Sequence, residues 1–126
     1  MVTRFLDEEN LEKLIASSSV VSLLSSDDRF VESSGTLGLI ADYEKAVLCS
    51  DITKFNVDLT NNVNSILVKP NDFEETSRAL FRLYEDEGFR VRIARELKKI
   101  AKHRYWDIIA CKHIKLYKKA VNDVCT

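Results

Sequence analysis

Three short apolar runs set the terms on which this chain can fold: Ser19-Val-Val-Ser-Leu-Leu, Ala46-Val-Leu-Cys, and the core of Asn64-Ser-Ile-Leu-Val-Lys-Pro. They are rich in β-branched residues, and they run nearly unbroken instead of alternating apolar with polar. That is the pattern of a strand buried on both faces, as in a parallel sheet. Pro70 closes the third run, because a residue without an amide proton cannot continue a ladder.

Helical spacing fills the intervals. Leu6-Asp7-Glu8-Glu9-Asn10-Leu11 reads as a helix start, with Asp7 as cap, Leu6 and Leu11 placed for a hydrophobic staple, and Leu11, Leu14 and Ile15 as the apolar stripe. From Ser33-Ser34-Gly35 onward, Leu37, Ile40 and Ala41 recur at helical positions, and either serine can cap the start. Asn71 with Glu74, or Asp72 with Glu75, fits a capping box before a helix expected to turn Phe73, Leu80, Leu83 and Tyr84 inward and to end at Gly88. A further helix carries Ile93, Leu97, Ile100 and Ala101 on one side, with Arg90, Arg92, Arg95, Lys98, Lys99 and Lys102 elsewhere. The last starts near Trp106, which reads as a core anchor, with Ile109, Ala110, His113 and Tyr117 on one face. Alternation followed by helix alone predicts an α/β fold: three layers, a small parallel sheet of three or four strands flanked by helices, and a helical C-terminal third.

A length of 126 residues, 45% of them hydrophobic, suffices for one core, so residues 1–126 are expected to form a single domain. No apolar stretch approaches the ~18 residues of a spanning helix, and the N-terminus lacks the layout of a signal peptide, so a cytoplasmic protein is expected. Cys49, Cys111 and Cys125 are odd in number and widely spaced, which predicts free thiols. His103 and His113 have no carboxylate or thiol at ligand spacing, so neither a metal nor another cofactor is expected. Charge is uneven: residues 1–87 hold 8 basic and 17 acidic side chains, residues 88–126 hold 11 and 3. The cationic stretch, residues 88–119 in particular, is read either as solvated helix faces or as a surface for nucleic acid or an anionic membrane.

Several segments, in order, carry a family resemblance. Asn64-Ser-Ile-Leu-Val-Lys-Pro-Asn-Asp resembles the Asn-Gly-Leu-Leu-Val-x-Pro-x-Asp of GT-B-fold glycosyltransferases, the large group that includes glycogen and sucrose synthases and many α-mannosyltransferases. Phe73-Glu-Glu-Thr-Ser-Arg-Ala-Leu-Phe-Arg-Leu-Tyr-Glu-Asp is similar to the helix that follows it there. Glu44-Lys-Ala-Val-Leu-Cys-Ser-Asp resembles Gly-Lys-Pro-Val-Val-Ala-Ser-Asp, and Tyr105-Trp-Asp-Ile-Ile-Ala with Leu116-Tyr117 resembles the closing Ser-Trp-x-x-Ile-Ala and Leu-Tyr. Glu32-Ser-Ser-Gly-Thr-Leu-Gly-Leu-Ile-Ala occupies the place of the donor-binding turn and helix. The resemblance implies a partial Rossmann-like domain, the second half of the C-terminal, nucleotide-sugar-binding domain of such an enzyme.

In an open parallel sheet, ligands lie beyond the carboxyl ends of the strands, and a helix N-terminus there can hold a diphosphate. Glu32, Ser33, Ser34, Gly35 and Thr36 are therefore the candidate donor-binding residues, with no catalytic residue assigned; by residue type alone the serines read first as helix caps, the glycine as packing and Glu32 as a solvated loop carboxylate. The family's second donor carboxylate, which binds ribose, falls on Leu39, which cannot accept a hydroxyl. Only Met1 to Phe5 precede the first helix, whereas members have two further strand-helix units there, an Arg and a Lys that neutralise the diphosphate, and an acceptor domain. The expected function is thus weak nucleotide-sugar binding, with glycosyl transfer only alongside a complementary chain or in a homodimer. The alternative is a noncatalytic interaction module on the same fold.

Overall fold

The computed structural model describes residues 5–26, 35–103 and 105–124. Its elements are α1 (Glu8–Ser17), β1 (Val20–Leu23), α2 (Gly35–Asp42), β2 (Ala46–Ser50), α3 (Thr53–Asn56), β3 (Ile66–Val68), α4 (Phe73–Glu85), α5 (Glu87–Lys102) and α6 (Trp106–Val124). The three apolar runs form one parallel sheet in the order β1-β2-β3, with Leu48 opposite both Ser22 and Ile66. All five residues of β2 are buried, because it is paired on both edges and covered on both faces. The sheet has three strands among the described residues, the lower of the two numbers expected.

Successive β2 side chains leave on opposite faces, which divides the apolar interior in two. Val47 and Cys49 join Leu67, Ile15 of α1, Leu37, Ile40 and Ala41 of α2, and Phe55 of α3. Ala46 and Leu48 join Ile66 and Val68 with Ala79 and Leu83 of α4. α5 belongs to both cores: Phe89 and Ile93 pack in the second, Leu97 and Ala101 in the first. Its Arg90, Val91 and Ala94 gather with Ser18, Ser19, Lys45 and Ala46, so the helix crosses the amino-terminal edge of the sheet.

Local chemistry explains where the helices begin. Asp7 caps α1, accepting from the amide of Asn10 at 2.9 Å. Of the two possible capping boxes before α4, the chain uses Asp72, which accepts from the Glu75 amide at 2.8 Å. The Glu75 carboxylate accepts from the amide of Lys69, also at 2.8 Å, tying the helix start to the end of β3. Asn71 has a φ of 64°, the left-handed conformation, which suits a turn and not an N-cap.

Four expectations need correction. Gly88 does not end a helix: Asp86 closes α4 and caps α5 by accepting from the Phe89 amide at 2.8 Å, which leaves Gly88 in the first turn of α5. In α4 the inward residues are Ala79 and Leu83, while Phe73 and Tyr84 are 82% and 80% exposed. Leu80 is also exposed, because only one narrow stripe of α4 meets the sheet. In α1 only Ile15 is buried; Leu11 and Leu14 are exposed. Trp106 is 85% exposed and anchors no core, since α6 extends from the domain without a buried side chain among its described residues.

Candidate functional site at the carboxyl ends of the strands

All three strands point their carboxyl ends at one cleft of about 260 Å3. The end of β1 contributes Leu24, Ser25 and Ser26, β2 contributes Ser50, and the segment after β3 contributes Lys69, Asn71, Phe73 and Thr76. Parallel pairing puts these ends side by side, so residues far apart in sequence meet there.

The cleft is held by its own hydrogen bonds. The Ser25 amide donates to the Ser50 hydroxyl at 2.8 Å, joining the loop after β1 to the end of β2. The Asp51 amide donates to the Val68 carbonyl at 2.7 Å, joining β2 to β3. Thr76 donates its hydroxyl to the Asp72 carbonyl at 2.7 Å. Among the described residues Lys69 is the one cation in the lining, and no carboxylate there pairs with it. Among the described residues, one ammonium, several hydroxyls and no lining carboxylate make a surface suited to an anionic oxygen-rich group.

The amino end of α2 lies on this same side of the sheet, because α2 is the crossover between β1 and β2. Gly35 is its first residue and Thr36 its second; both are exposed, and neither lines the cleft. No glycine has a positive φ, and a Cβ built on Gly35 meets nothing within 4 Å, so the backbone does not require glycine there. Glu32, Ser33 and Ser34 lie outside the described residues. Leu39, which the resemblance aligns with the family's ribose-binding carboxylate, is half-buried against the first core and serves as packing.

Sequence reasoning missed Lys69, which stands within a quoted motif as a variable position. Its signal was the place directly after a buried strand. The Asn of that motif, Asn64, is structural: its Oδ1 accepts from the Thr60 amide at 2.7 Å and its Nδ2 donates to the Asp58 carbonyl at 3.0 Å, folding the loop that enters β3. Glu44, where the resembling motif has glycine, keeps a left-handed φ of 51°. The Lys98 ammonium hydrogen-bonds its carboxylate at 3.0 Å and lowers its pKa. Among the described residues no cluster of His, Cys, Asp or Glu could hold a metal ion.

A partial Rossmann-like sheet with its cleft at the carboxyl edge and two trailing helices is the architecture of GT-B glycosyltransferases. Sucrose-phosphate synthase from Thermosynechococcus elongatus superposes with a TM-score of 0.75 at 17% identity, over 94% of this chain and 29% of that one. HepE from Anabaena, solved in complex with UDP, gives 0.71 at 16% identity, over 86% and 29%. The C-terminal domain of a group 1 glycosyl transferase, LpcC from Francisella tularensis, gives 0.70 at 16% identity, over 82% of this chain and 52% of that one. The chain thus spans less than a third of the two longer proteins and about half of a C-terminal domain. No family model and no curated protein matches the sequence.

Proposed function

We propose that this chain is the second half of a GT-B C-terminal domain. It binds the diphosphate of a nucleotide sugar at the carboxyl edge of its sheet, and it takes part in glycosyl transfer only with a partner that supplies the remaining parts. The observation that carries this reading is the cleft itself: Lys69, Ser25, Ser26 and Ser50 line it at the carboxyl ends of the strands, the side of the sheet on which α2 begins. Backbone amides at that helix end and one ammonium favour phosphate oxygens. The donor site comprises Gly35 and Thr36, with Glu32, Ser33 and Ser34 preceding them in the sequence, together with Lys69. Leu39 offers the ribose no acceptor, so binding is weak, on the order of 0.1 to 1 mM, with little preference for ribose over deoxyribose.

The test is chemical-shift mapping with UDP, GDP and ADP on the chain and on Gly35→Val and Lys69→Ala. Shifts are expected at Gly35, Thr36, Ser50 and Lys69, and both variants should weaken them. Because a Cβ at Gly35 meets open space, the valine variant is expected to stay folded and to act by obstructing the phosphate. If millimolar ligand produces no shifts at these residues, the donor site is refuted and the noncatalytic interaction module takes its place. The packing of Leu39 into the core is the observation that favours that second reading.

A further inference from the structure

Among the described residues Phe73 is the one aromatic side chain lining the strand-end cleft, and it is 82% exposed. Its backbone is nonetheless tightly held. The Asp72 amide donates to the Lys69 carbonyl at 3.2 Å, with Pro70 and the left-handed Asn71 (φ 64°) between them. Proline at the second place and a positive φ at the third are the signature of a type II turn, whose ends lie within about 7 Å of each other. The Lys69 amide donates to the Glu75 carboxylate at 2.8 Å, and the Thr76 hydroxyl to the Asp72 carbonyl at 2.7 Å, so this turn and the start of α4 form one hydrogen-bonded unit. Lys69 opens that unit, Phe73 follows its turn, and both side chains line the same cleft.

An open ring fixed beside an ammonium offers a flat π-face next to a group that attracts phosphate. Two parts of a nucleotide sugar have a face to lay on it, and the other lining groups discriminate between them. A hexose stacks its C–H groups and also needs hydrogen-bonding partners around its hydroxyls. Among the described residues no carboxylate lines the cleft, the Ser50 hydroxyl already accepts from the Ser25 amide, and the Thr76 proton is directed at the Asp72 carbonyl. A base needs only the ring, because every base has a π-face. At about 260 Å3 the cleft is also smaller than the roughly 300–1,000 Å3 of a pocket that encloses its ligand, which suits a flat group lying against one wall.

We propose that Phe73 is the platform on which the base of a nucleoside diphosphate stacks while Lys69 holds the phosphates. The inference rests on the donor site proposed above and adds to it a residue that sets affinity by the area of the base and not by its hydrogen-bonding edge. Purines, with the larger face, therefore bind more tightly than pyrimidines.

The experiment titrates the full chain, Phe73→Leu and Phe73→Tyr with inorganic pyrophosphate, UDP, ADP and UDP-glucose, up to about 20 mM, following the amide shifts of Gly35, Ser50 and Lys69. In the parent, UDP is expected to bind about tenfold more tightly than pyrophosphate, and ADP about threefold more tightly than UDP, within the range of base–aromatic stacking. Pyrophosphate carries more charge than UDP, so that gain is not electrostatic. Phe73→Leu, apolar but without a π-face, should bring the ratio of UDP to pyrophosphate affinity close to one, while Phe73→Tyr keeps it. Nuclear Overhauser contacts should join the Phe73 ring to the base protons. Circular dichroism verifies that both variants fold, as expected for a side chain so exposed. The proposal is overturned if pyrophosphate binds as tightly as UDP and ADP, if Phe73→Leu keeps the parental ratio, or if the ring contacts the hexose of UDP-glucose and not the base. In each of those outcomes pyrophosphate still shifts Ser50 and Lys69, so the donor site stands without the platform. If no ligand, pyrophosphate included, shifts these residues, the donor site itself is refuted and the platform with it.

Discussion

Cys49 lies in the middle of the central strand with no exposed surface, and burial pushes its thiol up to about 12. Cys111, on α6, is exposed. At pH 8 a maleimide is therefore expected to modify Cys111 in the native chain and to reach Cys49 only after denaturant is added, as peptide mass mapping would read. The same shift gives a pH dependence of defined sign. Between its ordinary value of 9.0 and about 12 the unfolded thiol loses its proton and the folded one keeps it. This group's contribution is thus fully present below pH 9 and lost as pH rises toward 12, by about 1.4 kcal/mol per pH unit. Cys49→Ala should remove that slope from urea titrations at alkaline pH. At this scale the sequence was legible in part: both described thiols are free, as their spacing implied, while the left-handed Glu44 could be placed only once the turn before β2 was seen.

Among the elements, α5 does the most to unite the fold, since its two halves belong to different cores. Leu97, 1% exposed, packs with Ile40 and the β2 side chains of the first core. Leu97→Ala is expected to cost about 2–5 kcal/mol through the cavity it leaves, seen as a lower urea midpoint with unchanged slope. Phe73→Ala, at a side chain 82% exposed, should stay within about 0.5 kcal/mol in the same measurement. This contrast tests the correction made in α4. Periodicity marks which residues could face a core, but how wide a stripe is covered depends on the neighbour. α4 meets the sheet along Ala79 and Leu83 alone, and α6 meets no core at all, so the apolar spacing of Phe73, Tyr84 and Trp106 overstated what is buried. The boundary at Gly88 misled for a different reason: an aspartate three residues before an amide outweighs a glycine with no positive φ.

For the molecule as a whole, the open edge of β1 is the feature on which self-association is expected. Among the described residues nothing pairs with its outer side, Leu24 directly after it is exposed, and Leu11 and Leu14 of α1 are exposed as well. An open strand edge with apolar neighbours favours pairing, and a homodimer is the simplest closed form. Sedimentation at tens of micromolar, on the order of concentrations that populate even micromolar-affinity pairs, is expected to give a dimer. A monomer alone would refute self-pairing through this edge, and sugar transfer by the isolated chain would refute the need for a partner. The strands, their parallel arrangement, the helix start at Asp7 and the α/β class were all readable from residue order, because they rest on local periodicity and caps that act within a few residues, whereas the choice of Asp72 over Asn71 was not. Gly35 and Thr36 were likewise placed correctly at a helix start, but the cleft beside them was not foreseeable. Ser25, Ser50 and Lys69 meet there only because β1, β2 and β3 lie in register, and the exposure of Trp106 on α6 shows only in the folded chain, where no described side chain of that helix is buried. Both follow from contacts between segments distant in the chain, which no local pattern encodes.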